Sequence, residues 1–472
     1  MKVFLLFLSV LCAAVFAAAQ GFAGFPEYLL SLPEAGRQAR VDSFLSANPV
    51  SPLTTGDTLC HYIYAGQAQS VVLAGDATQW APGPALTNVE GTNFWHLTQS
   101  YEADARLDYK FVVNGSNWIL DPRNPYTCAG GFGPNSELRM PAYVPPTEIL
   151  YSSGIPHGQL WDTVFYSTNL NNSRKIWVYT PAGFDPAVPC PVVYVHDGDG
   201  YLYLAQMRNT LDYLIHQQIL QPLMAVFIPP VDRTDEYAGN KQAAFTRFMT
   251  GEVIPWIDRK YSTVAYPWGR ANLGASNGGN IALWLTVSRP DVFGRVAALS
   301  SNVEPNISQA VQSGVTPPVK YYIDLGTYDI PILISRVRQF KNLLTENGAV
   351  FKYQEFNEGH SWGNWKAHVD DALIWLFGNA QGSGRIILPP LQFRYGSETR
   401  QFDVGVPCGL RPPYHLTFCN LNGQMIQTAD YSKFSAQLRF VHPPVKPGIY
   451  ILCMHTTGNR FCRKVFIGQE CP

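Results

Sequence analysis

"ANLGASNGGNIALWL" (Ala271–Leu285) is the stretch that decides the fold. A β-type run ends in Gly274-Ala275-Ser276-Asn277-Gly278, and a helix-like run follows at once. The bare pattern G-x-S-x-G says little in a chain with 39 glycines. Its setting says more, because a strand precedes it and a helix follows, which puts the serine on the sharp turn between them. Glycines on either side let the backbone turn tightly and keep side chains away from the hydroxyl. The helix start also turns its N–H groups and positive dipole end towards an oxygen held there. Ser276 is therefore the candidate nucleophile.

The surrounding sequence alternates in kind. "KIWVYTP", "PVVYVHD", "LMAVFIPP", "RVAALSS", "KYYIDLG" and "FKYQEFN" read as short apolar strands. Between them lie helix-like runs such as "MRNTLDYLIHQQI" and "RVRQFKNLLTENG". This alternation predicts an α/β domain with a largely parallel sheet over residues 156–379.

A serine nucleophile needs a base and an acid that orients the base, and in this fold they follow the serine as acid, then histidine. Two histidines follow Ser276 within the domain. His360 in "FNEGHSWGNW" stands just beyond a strand, whereas His368 lies inside the helical run "KAHVDDALIWLF" and reads as structural. "YYIDLGTYD" offers two acids. Asp324 falls within the strand and Asp329 on the loop after it, so Asp329 is the expected partner. Two backbone donors are needed for the oxyanion. Asn277 supplies one, and Gly198 or Asp199, in the loop after "PVVYV", supplies the other. "DGDG" there lacks the downstream ligands of a calcium loop, so no metal and no cofactor are expected.

The remaining chain is β-rich at both ends. "CHYIYAG", "SVVLAG", "FWHLTQS" and "LDYKFVVNG" predict an antiparallel β-sandwich over residues 53–143, preceded by a helical segment over 20–52. Residues 386–472 predict a second β-sandwich. The expected fold class is thus α/β, an α/β-hydrolase domain flanked by an N-terminal and a C-terminal β-sandwich module.

The first 19 residues read as a secretory signal: Lys2, an apolar run from Val3 to Phe16, then Ala17-Ala18-Ala19. No later segment is apolar for long enough to span a bilayer. Basic and acidic residues nearly cancel, at 34 against 35, so nucleic acid is not an expected partner. Without Cys12 of the leader, the cysteines are Cys60, Cys128, Cys190, Cys408, Cys419, Cys453, Cys462 and Cys471. Export makes disulfides permissible, and Cys453 and Cys462 flank "MHTTGNRF", across which they could pair.

The α/β region resembles the esterases related to enterochelin esterase and to carbohydrate esterase family one, the acetylxylan and feruloyl esterases. The stretches that carry this are "IWVYTPAGF", "YVHDGDGYL", "VFIPPVDRTDEYAGN", "GEVIPWIDRKY", "GRANLGASNGGNIALW", "YYIDLGTYDI" and "EGHSWGNWKAHVDDALIWLF". The resemblance implies a triad of Ser276, Asp329 and His360, and it implies that Arg233 and Glu236 lie near the active site. Trp362 and Trp365, beside His360, are expected either to touch substrate or to pack as core. Asn277 stands where a bulkier apolar residue is usual, and Ser361 where an acidic one is.

"VVLAGDATQW", "LDYKFVVNGSNWILDPRNPY" and "GPNSEL" are similar to early-set domains of glycogen-binding type. That resemblance implies Trp80, Lys110 and Trp118 as glycan contacts, against the plainer expectation that they pack the sandwich or roof the pocket. "PGIYILCMHTTGNRFCRKVFI" looks like the sorting domains of type IX secretion, which implies export machinery as a partner. Together these features predict a secreted serine carboxylic-ester hydrolase that removes acetyl or feruloyl groups from plant polysaccharide. A siderophore trilactone esterase is the alternative within the same chemistry, and a non-catalytic glycan-binding protein is the alternative outside it.

Overall fold

The computed structural model of the chain describes residues 22–314, 318–379, 392–396, 399–405, 414–420, 424–432, 437–456 and 459–467. The leader expected over the first 19 residues, together with Cys408 and Cys471, lies outside them. Among the described residues no helix is long and apolar enough to cross a membrane.

The central region is a sheet of eight strands: β1 (Gln159–Ser167), β2 (Asn172–Thr180), β3 (Val192–His196), β4 (Met224–Ile228), β5 (Arg270–Ala275), β6 (Arg295–Leu299), β7 (Lys320–Tyr328) and β8 (Val350–Gly359). Their spatial order is β1-β2-β4-β3-β5-β6-β7-β8. β1, β2 and β4 pair antiparallel, and β4 to β8 run parallel. Val192–His196, Met224–Ile228 and Arg270–Ala275 are buried at every position, as strands covered on both faces must be.

Five helices matter for the site: α1 (Gly198–Tyr203), α2 (Arg233–Ala238), α3 (Asn277–Ser288), α4 (Pro331–Glu346) and α5 (Trp362–Phe377). α5 lays Trp365, Val369, Leu373 and Leu376 on one face of the sheet, against Leu273 and Leu299. α3 and α4 cover the other face, with Leu283, Val337 and Phe340 packed on Val296 and Ile323. Ligands of such sheets bind outside the carboxyl ends of the strands. The residues after β3, β5, β7 and β8 all emerge there.

The N-terminal part begins with helices Phe25–Ser31 and Glu34–Ala47, whose Phe25, Leu29 and Val41 pack on Ile63 and Phe94. Strands Leu53–Thr55, Leu59–Ala65, Phe94–Ser100 and Thr87–Asn88 form one antiparallel sheet. The remaining N-terminal strands do not form a detached second sheet. Arg106–Val113 pairs with β8, joining Arg106 to Glu358, so the central sheet continues into this module to make thirteen strands. The sequence pattern predicts an appended sandwich. The structure joins it edge to edge with the central sheet.

The C-terminal part has two antiparallel sheets, one of Gln392–Gly396, Gln401–Gly405 and Gln437–Val441, the other of Met425–Tyr431, Tyr414–Asn420, Gly448–Thr456 and Asn459–Ile467. Phe402, Leu416, Phe418, Phe440 and Leu452 fill the core between them. Cys453 is disulfide-bonded, and the strand register sets Cys462 directly opposite it.

Candidate active site

Ser276 caps β5 and opens α3 with φ 56° and ψ −123°. A positive φ is costly for a residue with a side chain, on the order of 1–3 kcal/mol. The turn survives because its neighbours leave no other path. A Cβ on Gly274 would stand 2.3 Å from the Gly278 carbonyl oxygen, and one on Gly278 would stand 2.6 Å from Asp197 Oδ2. Only glycine lets strand and helix approach so closely. Ser276 N donates to Leu299 O at 2.9 Å, while Ser276 O accepts from Asn280 N and Asn302 N. The hydroxyl is thus held on a backbone fixed from three sides.

His360 follows β8. Its Nε2 lies 3.0 Å from Ser276 Oγ and its Nδ1 lies 2.7 Å from Asp329 Oδ1. Asp329 is 1% exposed, on the loop after β7, and its Oδ1 also accepts from Ile330 N at 2.6 Å. Three residues far apart in sequence therefore form one hydrogen-bonded line. With Nδ1–H donated to the carboxylate, Nε2 is the atom left to accept the serine proton. Asp324, the other acid in "YYIDLGTYD", is turned elsewhere. It accepts from Ser300 N at 3.2 Å, and burial pushes its carboxyl up to about 7. His368 sits on the middle of α5, bonded to Glu358 Oε1 at 2.7 Å and stacked on Phe356.

The backbone donors sit where two helices start. α3 begins at Asn277 and α1 begins at Gly198 and Asp199. The first N–H groups of a helix have no partner within it, so both starts offer donors. The contact between Gly278 and the Asp197 carboxylate draws the two starts together. Asn277 Oδ1 accepts from Asn302 Nδ2 at 2.9 Å, which turns this side chain away into its own polar pair.

Arg233 borders the site. Its Nε and Nη2 each donate to Asp197 at 2.8 Å, and Nη2 reaches Ala275 O at 3.4 Å. The guanidinium therefore ties the α1 start to the serine turn while staying partly exposed. Asp197 of "DGDG" is engaged in this pair.

Glu236 and Trp365 are both buried side chains. Glu236 is fully buried, and both its oxygens accept from Arg174, each at 2.8 Å. It fastens α2 to β2 and presents nothing to a ligand. The resemblance gives no information on which face of the six-residue helix each side chain takes. Breaking a buried pair leaves an uncompensated charge, so Glu236→Gln should cost about 3–5 kcal/mol. Urea denaturation should show this loss, with KM for a small ester unchanged in the folded protein.

Trp365 is the second. It is 7% exposed and stands edge-on to the His360 ring, centroids 5.0 Å apart, so it backs the imidazole. Trp362 is half-buried, 5.3 Å from Tyr201 and over Gly200, where a Cβ would come within 2.2 Å of the indole. It bridges the histidine loop to α1. Of the two indoles, Trp362 has surface to offer a substrate.

The Esterase family model matches residues 167–376. The chain is 25% identical over 232 residues to the uncharacterized protein YjcH of Bacillus subtilis, covering 46% of this chain and 97% of that one. It is 26% identical over 343 residues to an iron(III) enterobactin esterase of Escherichia coli O6:H1, covering 63% and 80%. It is 27% identical over 165 residues to an endo-1,4-beta-xylanase/feruloyl esterase of Xylanibacter ruminicola, covering 32% of this chain and 22% of that protein. A crystal structure of ferric enterobactin esterase from Salmonella typhimurium superposes with a TM-score of 0.62 at 17% identity, over 71% of this chain and 98% of that one, and shares the fold. The stretch that matches the Esterase model holds the serine turn at the carboxyl edge of an α/β-hydrolase sheet, and the chain is a carboxylic-ester hydrolase.

Proposed function

We propose that the protein is a serine esterase that works through an acyl-enzyme, with Ser276, His360 and Asp329 as its catalytic residues. The observation that carries this is the continuous line Asp329 Oδ1–His360 Nδ1, His360 Nε2–Ser276 Oγ, at 2.7 and 3.0 Å. His360 takes the serine proton as Oγ attacks the ester carbonyl. Asp329 holds the ring in the tautomer that leaves Nε2 free to accept, and it stabilises the imidazolium that forms. The N–H groups of Asn277 and of Gly198 or Asp199 bind the oxyanion. His360 then returns the proton to the departing alcohol, and water cleaves the acyl-enzyme by the same steps in reverse.

For the substrate, we propose acetyl or feruloyl esters on plant polysaccharide, acted on outside the cell. The leader-like N-terminus and the feruloyl esterase relative support this, as does Trp118, which is 43% exposed on the N-terminal module and free to stack on a sugar. Trp80 is less available, since its Nε1 donates to Asp76 Oδ1 at 3.0 Å. One observation favours a second reading, a siderophore trilactone. The enterobactin esterase match runs over 343 residues and so extends well beyond the catalytic stretch.

Both readings meet in one assay. The purified enzyme is given acetylated and feruloylated xylan and, separately, enterobactin. Release of acetate or ferulate with enterobactin left intact is the expected result. Hydrolysis of enterobactin alone would replace the polysaccharide assignment with the trilactone one.

A further inference from the structure

The turn Asp76–Trp80 of the N-terminal module lies across both loops that carry the acid and the base. Gln79 Nε2 donates to Tyr328 O at 3.2 Å and to Asp329 O at 3.1 Å. These are the backbone carbonyls of the acid itself and of the residue before it. Three residues earlier, the buried Asp76 carboxylate lies against Gly359, the residue before His360. A Cβ there would come within 2.0 Å of that carboxylate. Asp76 is held in turn by Asp108 N at 2.7 Å and Trp80 Nε1 at 3.0 Å.

A second contact grips the other side of the histidine loop. Arg106 is completely buried, and its Nη1 donates to Ser361 Oγ at 3.1 Å. Its guanidinium fits against Gly363 at the start of α5, where a Cβ would overlap it at 2.0 Å. Asp108 accepts from Arg106 Nη2, and Glu137 lies 3.4 Å from its Nε. Ser361 thus gives the arginine of the other module an acceptor next to His360.

The turn is also strained. Gln79 and Trp80 both have positive φ, 54° and 59°, and neither is glycine. Two such residues in succession persist only where surrounding contacts over-determine them, and such outliers cluster at functional sites. The conformation places Gln79 at the two carbonyls while Trp80 turns back to Asp76.

We infer that the N-terminal module is a positioning element of the catalytic machinery, in which Gln79 sets the Asp329 loop, and Asp76 and Arg106 set the His360 loop. Gln79 touches neither substrate nor reacting atoms. It acts through the backbone of Asp329, and with it through the hydrogen bond that orients the imidazole. The inference rests on the triad proposed above. It gives the module a task in turnover that is independent of any glycan it binds.

The test uses the full chain and p-nitrophenyl acetate, a substrate too small to need the module for binding. Gln79 is an exposed side chain, and melting temperatures equal to wild type check that its variants fold. Gln79→Ala should lower kcat about 10-fold with KM within twofold, because small displacements of reacting groups carry large rate penalties. Gln79→Glu should lower it at least as far, since a carboxylate would face two carbonyl oxygens. Gln79→Lys restores a donor of sufficient reach and should recover most of the loss. Equal kcat in wild type, Gln79→Ala and Gln79→Glu would overturn the inference, as would a Gln79→Lys protein no better than the alanine variant. Ser276→Ala is measured alongside. If it stays active, the triad is wrong. If it is inactive while the Gln79 variants are unimpaired, only the clamp is wrong.

Discussion

Ser276→Ala is expected to lower kcat on p-nitrophenyl acetate by about 10⁶, with KM little changed. The size follows from what the hydroxyl does. Without Oγ no acyl-enzyme forms, and His360 has no proton to accept. What remains is the oxyanion site and the binding surface, together worth about 10³–10⁴ over water. Losing the serine should cost nearly as much as losing the whole triad, because the three groups act as one unit. The fold should be unaffected, since the serine turn is held by backbone bonds from Ser276 N to Leu299 O and from Asn302 N to Ser276 O. Alanine at φ 56° carries the same backbone cost as serine there. Equal melting temperatures with activity gone would locate the loss in chemistry. A variant keeping more than a tenth of wild-type kcat would show that another group attacks the ester.

The sequence exposes the catalytic fold through one physical feature, the short uninterrupted apolar strand. "PVVYV" and "LMAVFI" carry no polar face, so each must be covered on both sides, and that demands helices above and below a parallel sheet. The serine turn is legible for a related reason, since only glycine tolerates the contacts at positions 274 and 278. The order of acid and histidine along the chain then narrows the choice to a few residues. What the sequence hides is which faces of the other module are wet. In "ARLDYKFVV", Arg106 and Asp108 alternate with Leu107 and Tyr109, the pattern of a strand with one solvated face. Both faces are buried, because the charged face lies against α5 and the loop of His360. Periodicity reports polarity and cannot separate water from a buried counter-charge. Glu236 is hidden for a similar reason. Its partner Arg174 lies some sixty residues upstream and leaves no local mark in the sequence around the glutamate.

Asp329→Asn is expected to lower kcat by about 10⁴ while leaving structure and KM nearly intact. Asparagine matches the carboxyl in shape but can present an N–H to the ring. Facing that donor, His360 Nδ1 must accept, so the proton moves to Nε2, the atom that should take it from Ser276. The variant also loses the negative charge that offsets the imidazolium formed as Oγ attacks. That charge acts at short range and in a dry place, 2.7 Å from Nδ1 on a residue 1% exposed, where screening by water is weak. Asp324→Asn is the matched control. Its carboxyl is also buried and lies within β7, whereas Asp329 follows that strand, but it accepts from Ser300 N and has no bond to His360. Its substitution should leave kcat within about threefold of wild type, well short of the 10⁴ expected where the orienting acid is lost. If the two variants exchanged effects, with Asp324→Asn inactive and Asp329→Asn near normal, the acid would sit inside the strand. The loop after β7 would then carry no chemistry.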